Sequence, residues 1–184
     1  MPNRTFLFYA KTAATGPGDR IAGGYTWTLW RPSSGGITPA GISPVRFGIW
    51  WCFHSLHVFH NREYGQFVIY QGDTVVHRSV ITPGYFRFPF MDRSDLQIGD
   101  TWTSADHRGK GLATFALRQI TDVYNRTGCR YWYVVEEDNT ASIRVVEKAG
   151  FCVVAHGTRQ SRYGIRLFGA FRMEQYQTPP CFLR

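Results

Sequence analysis

The stretch Leu96-Gln97-Ile98-Gly99-Asp100-Thr101-Trp102-Thr103 runs through Ser104-Ala105-Asp106-His107 into Arg108-Gly109-Lys110-Gly111-Leu112-Ala113. Leu96 to Thr103 reads as a strand, and the glycine-containing turn after it feeds a helix. From Leu112, the residues Phe115, Ala116, Ile120, Val123 and Tyr124 recur on one helical stripe, and Thr127-Gly128 stops the helix near Asn125. A helix start offers unpaired backbone N–H groups and the positive end of the helix dipole to an anion. Gly109 and Gly111 let a phosphate approach the backbone, and Arg108 and Lys110 add charge. The turn therefore reads as a phosphate or pyrophosphate seat, although taken alone it fits an ordinary basic turn equally well.

Downstream, Tyr131 to Val135 reads as a strand, Asn139 as the cap of a helix running to Gly150, and the segments near Phe151 to His156 and Arg166 to Glu174 as two more strands. Upstream, Phe67 to Tyr70 and Thr74 to Ile81 flank Gln71-Gly72-Asp73 and predict an antiparallel hairpin ended by Pro83-Gly84. Val45 to Asn61 lacks proline and spaces Phe47, Trp50, Trp51, His54 and Val58 at helical intervals. From Met1 to Arg46 glycine and proline interrupt regular structure, and only Tyr25 to Arg31 reads as a strand there.

A chain of 184 residues with 43% hydrophobic, 16% aromatic and 18% charged residues is too apolar for disorder and fits one domain. The net charge of +8 attracts anions, but the cations are scattered and mark no single partner. Phe47 to Phe59, the longest apolar run, carries His54 and His57 and falls short of the ~20 residues of a membrane span. Cys52, Cys129, Cys152 and Cys181 have no paired close spacing and no cleavable leader opens the chain, so a reduced, cytoplasmic protein is expected.

Two motifs in order, Arg108-Gly109-Lys110-Gly111-Leu112-Ala113 after a strand and Asn139-Thr140-Ala141-Ser142-Ile143-Arg144-Val145-Val146-Glu147-Lys148-Ala149-Gly150-Phe151 one helix and one strand later, resemble the paired signature of the GNAT acetyltransferases. The resemblance covers Leu96 to Phe151 firmly, reaches back to Phe67, and fades before that. It implies one α+β domain over residues 1–184, with a divergent part at 1–66, cofactor motifs at 96–151 and a central mixed sheet of about six or seven strands flanked by helices. It further implies acetyl-CoA as acyl donor and a small amine as acceptor, with no nucleic acid, no metal and no membrane span, and it leaves a homodimer open. By the same resemblance, the backbone of Gly109 to Ala113 holds the pyrophosphate with Arg108 opening the motif, and the main chain of Trp102 and Thr103 pairs with the pantetheine arm like an added strand. Asn139 matches the residue that holds pantetheine or a site water, and Ser142 lies one turn along that helix.

The family commonly places a Tyr before the Glu-Lys pair of the second motif to protonate the departing thiolate; here Val146 stands there. Water, the amine itself or another tyrosine such as Tyr133 then supplies that proton. The amine must also lose a proton, because a Lys-like ammonium near pKa 10.4 has no lone pair. Asp100 is the first candidate base, although strand alternation places it on the face opposite Thr101 and Thr103, so a bulge or a water is needed. Glu136 and Asp95 are the alternatives.

His54, His57 and His60 drift around a helix at three-residue steps and cannot all face one metal ion. His77 is either a pocket residue or a surface one. The aromatic run Tyr85-Phe86-Arg87-Phe88-Pro89-Phe90 can stack on a sugar or an acyl group, or plug the core. Together with the stretch to Thr103 it resembles acetyltransferases of bacterial surface-polysaccharide loci, which implies an amino sugar or sugar-nucleotide amine as acceptor. Two further classes remain in view: a CoA-binding regulatory module without turnover, and a basic nucleic-acid-binding domain whose affinity falls steeply with salt.

Overall fold

The structure is a computed structural model that describes residues 4–12, 21, 23–32, 36–125, 127–162 and 165–174, with the side chains at 162 and 165–168 excepted. In chain order the elements are β1 (Thr5–Thr12), β2 (Tyr25–Trp30), α1 (Pro44–Ser55), β3 (Gly65–Gln71), β4 (Thr74–Pro83), β5 (Leu96–Thr103), α2 (Leu112–Val123), β6 (Arg130–Glu136), α3 (Thr140–Lys148), β7 (Cys152–Arg162) and β8 (Ile165–Glu174). They form one eight-stranded sheet in the order β2-β3-β4-β5-β6-β1-β7-β8. The β5–β6 pair is parallel; the other neighbours are antiparallel.

The expected six or seven strands become eight chiefly because Thr5–Thr12 is a strand and not part of an irregular leader. Its sequence, TFLFYAKT, is rich in β-formers and lies centrally, between β6 and β7. Phe8 and Ala10 are fully buried on one face, and Tyr9 is buried on the other. α1 is shorter than the expected Val45 to Asn61, since His57 adopts a left-handed φ of 58° that no helix continues. Val123, assigned above to the buried stripe of α2, lies at its last residue and is 47% exposed.

Strand alternation divides the interior into two cores. On one face, Phe67 and Ile69 of β3, Leu96 and Ile98 of β5 and Tyr131 and Tyr133 of β6 pack against Leu112, Phe115, Ala116, Leu117 and Ile120 of α2 and Val146 of α3. On the other, Val68, Val80, Trp132 and Phe8 pack against Phe47 of α1 and the segment Tyr85 to Met91. Each fully buried aromatic or aliphatic side chain contributes about 1.5–3 kcal/mol. The aromatic run is therefore a core plug: Tyr85 is 1% and Phe88 5% exposed, and Phe88 stacks on Phe171 with a centroid separation of 5.5 Å. Rings so placed have little face left for a sugar.

Among the described cysteines, Cys52 and Cys129 form no disulfide, whereas Cys152 is disulfide-bonded, which corrects the fully reduced expectation. Among the described residues, no helix is long and apolar enough to cross a membrane.

Gly157 sits where β7 passes between β1 and β8, paired with Phe6 and Met173. A Cβ there would run into the Arg172 carbonyl oxygen and the Phe8 ring. Gly157→Ala should therefore cost about 2 kcal/mol or more in urea unfolding at unchanged m-value. Gly48→Ala in α1, where an added Cβ meets nothing within 4 Å, should instead be neutral or gain up to about 1 kcal/mol.

Candidate functional site

β5 and β6 pair only through Leu96↔Tyr131 and Gln97↔Trp132, and beyond this point the two strands part. Asp95 pins their shared start. It is 1% exposed and accepts hydrogen bonds from the Arg130 backbone N–H (3.0 Å), the Asp92 backbone N–H (3.0 Å) and the Trp132 indole Nε1–H (2.8 Å). With its lone pairs engaged at the closed end of the strand pair, Asp95 is a structural anchor, which removes it from the candidate bases.

A bulge decides which side chains face the opening. Val80 pairs with Gly99 and Arg78 with Trp102, so Ser79 alone faces the two residues Asp100 and Thr101. Asp100 absorbs the insertion with φ 45°, an unusual conformation for a non-glycine residue. The face begun by Leu96 and Ile98 is thereby continued by Thr101 and Thr103. Asp100 turns the other way and faces Arg78 Nη2 at 3.6 Å. Arg78 in turn lies over the rings of Phe47 (4.8 Å) and Trp102 (5.2 Å).

The parting strands open into a cleft of about 920 Å³ lined by Thr101 to Thr103, the turn His107 to Gly111, the first turn of α2 and one side of α3. Gly109 and Gly111 have φ of 75° and 79°, the left-handed region that glycine enters at little cost. Gly111 is the N-cap of α2; its carbonyl accepts the first helical bond from Phe115 N–H, and no side chain caps the helix start. Leu112, Ala113 and Thr114, whose N–H groups have no partner within the helix, line the cleft. Arg108, Lys110, Arg118, Arg144 and Lys148 line it too, and among the described residues no carboxylate does. Arg108 Nε also donates to the Thr103 carbonyl at 3.3 Å, joining the turn to the end of β5. A helix start without a side-chain cap, ringed by cations, suits a ligand carrying several phosphates.

At the inner end stands Tyr133 of β6, 6% exposed, in the same cleft wall as Thr101 and Ser142. Burial pushes its phenol pKa up, outweighing the opposite influence of the neighbouring Thr101 and Ser142 hydroxyls. The group stays protonated at neutral pH.

Of the residues singled out in the sequence, Trp102, Thr103, Arg108, Gly109, Lys110, Gly111, Leu112, Ala113, Ser142 and Tyr133 meet at this cleft, and Asp100, Glu136 and Asn139 do not line it. The Asn139 side chain accepts the Ser142 backbone N–H at 3.1 Å and caps α3. Glu136 falls on the opposite face by alternation: Tyr131, Tyr133 and Val135 point to the α2 core, whereas Trp132 and Val134 point away. Its carboxylate accepts from Arg4 at 2.6 Å beside a separate small cleft with Thr5, Glu137 and Asp138. His77 is neither a pocket wall nor a surface residue: it is 0% exposed inside the sheet.

Arg118 and Thr101 went unassigned in the sequence, and Arg144 and Lys148 were read only as scattered charge. The last two stand four residues apart, the spacing that puts both on one side of α3. Arg118 lacks such a signal, because the approach of α2 to α3 brings it there; its guanidinium donates to the Lys148 carbonyl at 2.8 Å.

The profile of the acetyltransferase (GNAT) family matches residues 29–151. Among solved structures, a GCN5-related N-acetyltransferase from Sphaerobacter thermophilus is similar at a TM-score of 0.57 and 19% identity, over 85% of this chain and 50% of that one. An acetyltransferase of the GNAT family from Colwellia psychrerythraea is similar at a TM-score of 0.52 and 14% identity, over 84% of this chain and 54% of that one. The chain thus spans about half the length of these two relatives. A comparison with curated proteins returns no match.

Proposed function

Because the chain belongs to the GNAT acetyltransferase family, we propose that it transfers an acetyl group from acetyl-CoA to a primary amine by direct attack. The observation that carries this reading is the cleft itself, where the parted strands meet a helix start without a side-chain cap and cations from the glycine turn, α2 and α3. In this reading the backbone of Gly109 to Ala113 and the side chains of Arg108 and Lys110 hold the pyrophosphate. The edge of β5 at Trp102 and Thr103, left without a strand partner on the β6 side, holds the pantetheine arm by main-chain hydrogen bonds. The thioester then lies between the parted strands near Tyr133.

The amine lone pair attacks the thioester carbonyl carbon, the C–S bond breaks, and the thiolate takes the Tyr133 phenolic proton. Asp100 remains the proposed base. It sits on the splaying strand but faces away from the cleft, so it receives the amine's proton through water. Glu136, bound to Arg4 on the far face, is not assigned this role. For the acceptor, an amino sugar or sugar-nucleotide amine is the class proposed, on the sequence resemblance alone, since Tyr85 and Phe88 of the aromatic run are buried and Phe86 and Phe90 pack against the same core.

A second reading, a CoA-binding module without turnover, rests on Val146, which is fully buried and offers no proton where the family commonly has a Tyr. Calorimetric titration with acetyl-CoA followed by thiol release over a panel of amines separates the two. Saturable binding with amine-dependent release supports the transferase, binding without release supports the module, and no binding sinks both.

A further inference from the structure

Phe47 of α1 carries two guanidinium groups against its ring. Arg46 lies 5.7 Å and Arg78 4.8 Å from the ring centroid, and Arg78 also lies 5.2 Å from that of Trp102. Arg78 is 8% exposed, so its charge is held nearly buried between two aromatic side chains. A guanidinium has several N–H donors to satisfy. Asp100 Oδ1 stands 3.6 Å from Nη2, beyond hydrogen-bond distance, and Nε is buried with no partner. A buried cation so incompletely paired is short of acceptors.

The start of α1 adds to the same field. Phe47 is the fourth residue of this helix, Ser43 makes no side-chain cap, Pro44 supplies no N–H, and no acidic residue stands in the first turn. The N–H groups of Val45 and Arg46 therefore have no partner within the helix. This group of donors lies across the sheet from the glycine turn, because Phe47 packs with Val80 and Trp132 on one face whereas α2 and α3 pack on the other. Trp102 joins the two sides: it lines the cleft, and Arg78 lies over its ring. Past Gln97↔Trp132 no strand pairing between β5 and β6 separates the cleft from the α1 face.

We propose that Arg78 and Arg46, together with the start of α1, bind an anionic group of the acceptor, so that the amine substrate also carries a phosphate or a carboxylate. The inference rests on the acyl-transfer reading above, in which acetyl-CoA fills the cleft and leaves the α1 face to the acceptor. Asp100 offsets one of the two arginine charges, and the other, with the helix dipole, selects a negative group. Phosphate and carboxylate both match the planar fork of a guanidinium. Asp100, the proposed base, is 41% exposed beside Arg78, so the amine and the anion of one small molecule are held side by side.

The test compares matched amines on the full chain, by calorimetry with saturating CoA and by thiol release with acetyl-CoA. The pairs are glucosamine against its phosphate ester and γ-aminobutyrate against its primary amide. In at least one pair the anionic member should bind about 10-fold tighter or more, with kcat/KM higher by a similar factor, and the pair that responds tells phosphate from carboxylate. Arg46→Gln and Arg78→Met should each cut that preference about 5-fold or more, the methionine keeping an apolar stem between Phe47 and Trp102. Arg93→Gln removes the same charge from an exposed arginine ahead of β5 and should leave the preference as it is. No binding of either member, or equal binding within both pairs, overturns the proposal. So does an equal loss in Arg93→Gln, which assigns the preference to the net charge of +8. Arg46 is exposed, so its variant carries the test should Arg78→Met fail to fold. The binding arm needs no turnover: a wild type that prefers the anionic member but releases no thiol removes the acyl-transfer reading and leaves the anion seat standing.

Discussion

Gly111→Glu is expected to weaken acetyl-CoA binding by at least about 100-fold, which at ~1.4 kcal/mol per decade is about 2.8 kcal/mol. Gly111 is the N-cap of α2, exposed, and nothing lies within 4 Å of a Cβ built on it, so the substitution enters open cleft and not a packed core. A carboxylate about 4 Å from a phosphate is repelled by about 1 kcal/mol in bulk water and about 4 kcal/mol at the effective dielectric of a protein surface. The side chain also occupies the space that the glycine leaves for the pyrophosphate, and it offers its own oxygens to the helix N–H groups. The φ of 79° adds strain of about 1 kcal/mol to any L side chain there. Gly111→Ala carries the strain without the charge and serves as the control. Calorimetric titration checks the prediction, and a Gly111→Glu protein that binds acetyl-CoA as the wild type does would move the donor away from this helix start.

Tyr133→Phe should lower kcat about 10²–10⁴-fold and leave the Kd for acetyl-CoA within about twofold, since a general acid acts in the transition state and contributes little to ground-state binding. The ring remains and only the hydroxyl goes, so the core on that face loses no apolar area. Removing one hydroxyl should change stability by no more than about 1 kcal/mol. The pH profile gives a second reading. The phenol pKa is raised by burial, so the acid form persists through neutral pH and is lost only on the alkaline side, above the ordinary tyrosine value of about 10. Wild-type kcat should therefore fall at high pH, and the residual rate of Tyr133→Phe should lack that fall. Equal kcat in the two proteins would return the thiolate's proton to water or to the amine.

Both predictions concern residues legible in the sequence, for different reasons. Gly111 belongs to a local pattern of strand, glycine turn and helix, whose chemistry follows from a few adjacent residues. Tyr133 was one of several tyrosines, named because Val146 left a vacancy and because it stood on the next strand. What the sequence left open was its company: Thr101 stands 32 positions before Tyr133 and Ser79 a further 22 before Thr101, separations that only the sheet closes.

The candidate bases divide along the same line. Asp100, Glu136 and Asp95 are alike as letters on or beside strands. The fold gives one a bulge and an arginine, the second the far face and Arg4, and the third a buried hub of N–H donors. Alternation alone put Asp100 opposite the threonines, which is where it lies. That a bulge would carry the threonines into phase with Leu96 and Ile98 depends on how β4 pairs with β5, which no local pattern states.

The strand, glycine turn and helix at 96–123, the hairpin, the capped second helix and the family are legible in the local sequence, because each rests on residues within one turn or one strand of each other. Tertiary structure alone decided that Thr5–Thr12 enters the middle of the sheet, that β5 and β6 part after two paired residues, and that Arg118, Arg144 and Lys148 reach the same cleft as the glycine turn. The reason is physical: a strand's place in a sheet and a side chain's neighbours across it are set by packing between segments far apart in the chain, where burial and pairing outweigh local preference.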